Sequence, residues 1–321
     1  MPIVVNTNTS ATSASHNLSK ANEALRKSLE RLSSGKRINH AADDAAGLSV
    51  AYKLNSRINR TSAVMQNMQN ALSYLQVQDA SLSSAGKIVD RMAELRTMAE
   101  DITKNTGDIE NYSKEFIELQ IQLNQMYNEK FNGISLFART DSSAVTGKLN
   151  QGSASFGSVS YTTFGRTLST HASGSDSMGS VSINVVNLQF MLSIGAAKSG
   201  GTSLDIGNIN GSNTAAGVDI LTSDGFLNDI LEVSVSQFTD IIERIADMRA
   251  ENGAEQNRVM KSMDLLQSNL TNIEAAHGRI VDTDIALEST RFARHNILVQ
   301  ASASMTAQAN QISNVALALI G

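Results

Sequence analysis

The residues of this chain best suited to chemistry are five histidines and a short run of carboxylates, and neither set is spaced for it. The histidines stand at positions 16, 40, 171, 277 and 295. No two are four residues apart, so no helix face carries paired imidazoles, and no HExxH sequence is present. Asp282, Asp284 and Glu288 could gather a cation, but the segment lacks the glycine and the ligand count of a calcium loop. Capping a helix is the simpler role for them. No GxSxG elbow, phosphate-binding glycine loop or dinucleotide fingerprint occurs. His171 with Asp176 is too little for a catalytic set. The chain has no Cys, which removes disulfides and thiol chemistry. No catalytic residue, metal site or cofactor is therefore expected, and the reading turns to structure and assembly.

The chain has 321 residues, enough for a sizeable core, with a formal charge of -5 and a pI of about 5.6. An acidic balance and the lack of a basic run with interleaved aromatics argue against nucleic acid as a partner. At the N-terminus the only apolar run is Ile3-Val4-Val5 with no basic segment before it, so no cleaved secretory signal is expected.

Both ends of the chain lack charge. From His295 to Gly321 there is no Asp, Glu, Lys or Arg. Larger apolar residues fall at Leu298, Met305, Ile312, Val315 and Leu319, with alanines at 301, 309 and 316, which is a helical stripe at spacings of three and four. Six Asn or Gln residues in the same stretch argue against a membrane span, because an unpartnered amide in hydrocarbon costs several kcal/mol. No membrane partner is expected. From Met1 to Ser19 there is again no charge, and Leu18, Leu25 and Leu32 then recur at seven, supported by Ala21 and Leu29. The two ends are predicted to form one helical pair whose stripes serve self-assembly; a frayed amphipathic tail is the plainer alternative.

Between the ends, the first helix is predicted over about 9–33, broken by Ser33-Ser34-Gly35, with Asp43 or Asp44 capping the next. Leu54, Ile58, Met65, Met68, Leu72, Leu75, Leu82, Val89, Met92, Leu95, Met98 and Ile102 then keep helical spacing over roughly 50 residues, a rod of roughly 75 Å. Its methionines read as core filler, with a promiscuous binding face as the alternative. Asn105-Thr106-Gly107-Asp108 turns the chain into a shorter helix through Phe116, Leu119, Leu123 and Met126, returning antiparallel and ending near Phe131-Asn132-Gly133. Residues 141–225 hold 13 of the 21 glycines, so a β-rich insert of four to six short strands is expected. There Val181, Ile183 and Val185 alternate, and Val186, Leu188, Phe190, Leu192 and Ile194 continue in shifted phase, as a β-bulge or as two strands. A second rod runs from Phe226 to Ile280, and Val281-Asp282-Thr283-Asp284 is a capped break before the last helix.

Charge supports pairing the halves. Residues 1–60 carry nine Lys or Arg against four Asp or Glu, net +5, and 240–294 carry seven against ten, net -3. The fold class is mainly α. It comprises 1–33 with 286–321 as a terminal coiled-coil pair, 34–140 with 226–285 as antiparallel rods, and 141–225 as the insert.

At this point the residues carry a resemblance. Leu32-Ser33-Ser34-Gly35-Lys36-Arg37-Ile38-Asn39 followed by Ala42-Asp43-Asp44-Ala45-Ala46-Gly47-Leu48 resembles the N-terminal signature of bacterial flagellin. Phe131-Asn132-Gly133, Gly253-Ala254-Glu255-Gln256-Asn257-Arg258, Ile297-Leu298-Val299-Gln300-Ala301 and Ala307-Gln308-Ala309-Asn310-Gln311 match the same family in order, over about 1–140 and 226–321. The resemblance implies a subunit that polymerises with copies of itself into the flagellar filament. It also implies extracellular placement, export by the flagellar type III apparatus without a cleaved signal, a chaperone on the C-terminal segment, and partners in a filament cap and hook-junction proteins. Terminal helices would line the inner tube and the insert would face outward. A hook-junction protein is the alternative, although it should diverge from the Ala-Asp-Asp-Ala-Ala-Gly and Gln-Asn-Arg signatures that are intact here. Some flagellins are recognised by an innate Toll-type receptor through an Arg, a Leu and a Glu; Arg91, Leu95 and Glu115 fill those places here. Leu95 also sits at a rod core position. Departures from the family occur at His40, and at Asn252 and Glu255, where apolar residues are usual.

Overall fold

The computed structural model describes residues 8–138, 150–156, 159–172, 179–194, 204–205 and 234–320, and their side chains except at 150–162, 189, 193–194, 204–205 and 312–320. By internal contacts the chain divides into two compact units, 1–59 with 269–321 and 60–268.

In the first unit, α1 (Thr9–Ser34) begins where the Asn8 side chain accepts the Ala11 N–H at 2.9 Å. It stops at Gly35, whose φ of 68° is left-handed and whose N–H returns to the Arg31 carbonyl. Both Asp residues predicted as caps are used. Asp44 accepts the Gly47 N–H at 2.8 Å and opens α2 (Ala45–Ala99). Asp43 instead takes the Asn39 and His40 N–H groups and pairs with Lys27. The Lys27 contact, helped by those N–H groups, holds the Asp43 carboxyl down at about 2. Close to the C-terminus, the capped break is as expected: Asp284 accepts the Leu287 N–H at 3.0 Å and α6 (Ile285–Ile320) follows. The two breaks face each other. Arg37 N–H donates to the Val281 carbonyl at 2.6 Å and Thr283 N–H to the Gly35 carbonyl at 3.0 Å, an antiparallel bridge between Lys36 and Asp282.

The second unit is built on the part of α2 from Arg60 onward; the whole helix has 55 residues, about 80 Å at 1.5 Å per residue. Most of the stripe read from the sequence is its inner face: Met68, Leu75, Leu82, Val89, Met92 and Leu95 are fully buried. Ile102, expected to end that stripe, is not on it: the helix stops at Ala99 and Ile102 stands in the turn beyond, 99% exposed. Of the methionines of the stripe, Met68 and Met92 are core and Met98 packs against it. A capping box between Asn105 and Asp108 starts α3 (Thr106–Met126). Its Phe116 meets Phe238 of α5 (Val235–Val281) edge to face, centroids 6.3 Å apart. The Phe226–Leu231 part of the expected second rod lies outside the described residues.

After α3, β1 (Lys130–Phe131) and β2 (Ile134–Ser135) form a hairpin closed by Asn132 and Gly133, both at positive φ (49° and 77°), the two-residue turn that favours Asn-Gly. The larger sheet runs β3-β6-β5-β4 with β3 (Phe137–Ala138), β4 (Asn150–Phe156), β5 (Val159–Ser169) and β6 (Ser180–Asn187). β3 is parallel to β6 and the other pairs are antiparallel. Val181, Ile183 and Val186 of β6 belong to the rod core, while Val185 packs with Phe164 and Ala138 in a smaller cluster.

The expectation for 186–194 is corrected here. The alternation does not continue as strand, and no bulge interrupts β6. The Asn187 side chain accepts the Phe190 N–H at 3.1 Å and starts a one-turn helix, α4 (Leu188–Met191), before β7 (Ser193–Ile194) pairs with β8 (Leu204–Asp205). Leu188, Met191 and Leu192 are all buried, a spacing of three and four that a period-two reading merges with strand alternation.

Candidate assembly and recognition surfaces

α1 and α6 pair antiparallel: Asn8 donates to the Ala309 carbonyl at 2.8 Å near one end, and Arg31 approaches Glu288 at 4.0 Å near the other. The inward face of α1 is Ala11, Ala14, Leu18, Ala21, Leu25, Ser28 and Leu32, a repeat of three and four. Leu18, Leu25 and Leu32 thus lie half-buried in the seam, as their spacing predicts. α6 behaves differently. Its inward face is Glu288, Phe292, His295, Val299, Ser302, Thr306 and Ala309, largely small or polar. The stripe read from the sequence lies one residue away and points outward. Leu298 is 45% exposed, and Met305 and its neighbour Ile297 are each 65% exposed. Ile312, Val315 and Leu319 lie outside the described side chains.

The mismatch leaves the pair underfilled. Where small seam residues meet, an open groove forms between Thr9, Ser13 and Asn17 of α1 and Ala301, Ser302 and Met305 of α6. At the other end of the pair the polar anchor is Glu288, buried beside Arg31 at 4.0 Å and Arg291 at 3.3 Å. Asp282, Asp284 and Glu288, weighed above for a cation, act as bridge, cap and ion-pair partner, and no metal-binding cluster occurs among the described residues. Nor, among those residues, is any helix long and apolar enough to cross a membrane.

In the second unit, Arg91 and Glu115 come together. The Arg91 guanidinium donates to Glu115 at 2.7 Å and to Glu94 at 2.8 Å, and these contacts, Glu115 first, strengthen its hold on its proton. All three side chains are exposed. Leu95 is not with them: it is 0% exposed, one turn on and inside the rod core.

Sequence reasoning noticed Asn252 and Glu255 only as departures from family pattern; the structure gives both partners. Asn252, 2% exposed, donates to Gln78 at 2.7 Å and accepts from Gln256 at 2.6 Å, while Gln78 donates to the Leu136 carbonyl at 2.9 Å. Both Glu255 oxygens accept the Asn184 N–H of β6, at 2.9 and 3.0 Å, and Arg258 donates to the Ser182 carbonyl at 2.6 Å. Two helix side chains thereby cover the edge of β6 that β3 leaves unpaired. Burial pushes the Glu255 carboxyl up to about 7, opposed by the Asn184 N–H. The signal in the sequence was a coincidence of two polar residues, one turn apart, at positions expected to be apolar.

Residues 5–142 match the family model for the bacterial flagellin N-terminal helical region, and 235–320 that for the C-terminal helical region. The chain is 31% identical to a flagellin of Bacillus subtilis over 314 residues, 96% of each chain. It is 27% identical to a flagellar filament 33 kDa core protein of Treponema phagedenis, over 99% of this chain and 100% of that one. Among solved structures, one described as a flagellar hook-associated protein of Vibrio parahaemolyticus shares the fold with TM-score 0.54 at 15% identity, over 75% of this chain and 100% of that one.

Proposed function

The chain belongs to the bacterial flagellin family and is a structural subunit of the flagellar filament, and from that premise we propose that the outward stripe of α6 is the surface its copies bury against one another. The observation that carries this is the exposure of Ile297, Leu298 and Met305 on a helix whose inward face is small and polar. A stripe of large apolar side chains that a helix does not use within its own chain marks an interaction site. The helix also carries no charge after Arg294, so nothing on it repels a second copy, and its amides and hydroxyls can pair laterally. On this reading 1–33 with 286–321 is the assembling part, 34–140 with 226–285 the load-bearing rod, and 141–225 the outward insert. The work of the protein is mechanical, without catalysis.

The same uncharged, half-satisfied ends support a free subunit whose tails are weakly ordered and become fixed on assembly. That suits export through the flagellar type III route without a cleaved signal, with a chaperone on the C-terminal segment and cap and hook-junction proteins as later partners. Removing residues 297–321 is expected to leave the melting of the rod unchanged and to abolish salt-induced polymerisation. Tubes of normal length from the truncated protein would overturn the reading. Strong amide protection over 300–311 in the monomer would overturn the weak ordering alone.

A second reading concerns an innate Toll-type receptor. It is supported by the exposed Arg91–Glu115 pair, with Leu95 acting from beneath as the core residue that fixes the turn presenting Arg91.

A further inference from the structure

The turn between α2 and α3 is tied at each step. Asp101 N–H returns to the Met98 carbonyl at 3.4 Å, Thr103 N–H goes to the Asp101 carboxylate at 2.9 Å, and Lys104 N–H goes to the Asp101 carbonyl at 3.0 Å. Asn105 then enters the capping box of α3. At the tip of this fixed turn stands Ile102, 99% exposed, the most exposed large apolar side chain among the described residues. A turn held this way cannot fold its isoleucine back onto the protein, so the residue is presented outward by construction of the backbone. On either side it is flanked by opposite charges, Asp101 and Lys104.

Elsewhere in the same unit a shallow groove has the complementary character. Val77, Ala80 and Ser84 of α2 and the buried Leu136 line it, and the neighbouring charges Glu129 and Lys130 form its rim. Val77 is 39% exposed there, an apolar wall facing solvent. Ile102 cannot reach this groove in its own chain: even Ser84 lies about 20 Å short of the end of α2 at 1.5 Å per residue.

We infer that Ile102 of one copy seats in the groove of a second copy, between Val77, Ala80 and Leu136, with its Asp101 beside Lys130 and its Lys104 beside Glu129. The inference rests on the filament-subunit reading and names a contact that reading leaves open. Knob and groove lie at different heights of one rod, so the contact is head-to-tail. Each seated copy still offers its own groove or its own knob, and the arrangement grows as an open chain rather than closing as a pair. Neighbours related by it are offset by about 30 Å along α2, the helical distance from the groove to the turn.

Because the chain contains no Cys, a pair introduced as Ile102→Cys with Ala80→Cys reports only this contact. Oxidised filaments of the double variant should dissolve into a ladder of covalent oligomers, whereas each single variant, whose cysteine meets no second thiol at this contact, should remain monomeric. Filaments that form to the wild-type extent yet show no ladder would overturn the contact. Independently, Ile102→Ser, whose side chain is clear of the core, should raise the critical concentration for salt-induced polymerisation about tenfold, the loss from burying one isoleucine fewer. A critical concentration within about twofold of wild type would sink the contact and leave the filament role standing. Wild-type protein that forms no filaments would instead remove the role itself.

Discussion

The paired ends and the rod use the same helical spacing to opposite effect. In the rod, residues at three-four intervals point inward and vanish from solvent: Leu75, Leu82, Val89, Met92 and Leu95 on α2, with Phe238 and Ile241 on α5. On α6 the large apolar residues at the same intervals point away, and Ser302, Thr306 and Ala309 take the seam. The rod completes its core within one chain. On the reading proposed above, the terminal pair is half of a core whose other half is a neighbouring subunit. A three-four apolar pattern therefore says that a face will be buried, but not by which molecule.

The sharpest way to break this contrast is to shorten one side chain of each kind. Leu95→Ala removes a fully buried leucine from the rod and is expected to cost about 2–5 kcal/mol of monomer stability. Met305→Ala removes an exposed group of similar size and should change monomer stability by less than about 0.5 kcal/mol. In polymerisation the order should reverse: Met305→Ala raises the critical concentration, while Leu95→Ala protein that remains folded assembles near the wild-type value. Denaturant unfolding below the polymerising concentration, paired with sedimentation of filaments, reads both. Equal losses of monomer stability would erase the distinction between the two regions.

That contrast also explains what was legible in the sequence. The rods, the breaks at Gly35 and Asp284, a cap at Asp43 or Asp44 and the end of the short helix before Asn132-Gly133 were readable, because each is decided by a few neighbouring residues with strong local preferences; the hairpin that Asn132-Gly133 closes was not. The face of α6 was not. Leu298 and Met305 stand one residue from Val299 and Thr306, so two stripes overlap on one helix, and only the partner chosen by α1 selects between them. Residues 186–194 failed for a related reason: Leu188 and Leu192 fit both a strand and a helical turn, and the Asn187 cap decides. In the candidate sites, Arg91 and Glu115 stand side by side, whereas the partners of Asn252 and Glu255 lie far off in sequence, on Gln78 of α2 and Asn184 of β6, and are brought near only by the fold.

A medium-sized test sharpens the comparison inside the rod, where a carboxylate of α5 is partly buried. Glu255 carries a folded pKa raised from 4.5 to about 7 by desolvation. Its contribution to stability is therefore fully present below about pH 4.5 and is lost as pH rises through about 7, because the folded state holds a proton that the unfolded chain gives up. Glu255→Gln keeps an acceptor for the Asn184 N–H and removes the titration. The variant should match wild type near pH 4.5 and exceed it by about 2 kcal/mol at pH 8, after allowance for partial solvent access. Denaturant midpoints at the two pH values decide it; parallel pH profiles for the two proteins would show that Glu255 does not set the slope.

The smallest expected effect on stability belongs to Arg91, which places the comparison at the surface of the rod. Its contacts to Glu115 and Glu94 are short, but all three side chains are exposed, and solvent screens pairs of that kind so that they contribute little to stability. Arg91→Ala should therefore leave the unfolding midpoint almost unmoved, in contrast to Leu95→Ala four residues on. A receptor meeting this face would feel the reverse weighting, since Arg91 is a charge it can touch and Leu95 is not. Activation of a Toll-type receptor reporter by Arg91→Ala should drop about tenfold or more, the scale of losing one charge-assisted contact, with folding intact. An undiminished signal from that stable variant would remove receptor recognition from this face, because no loss of structure would be available to explain it.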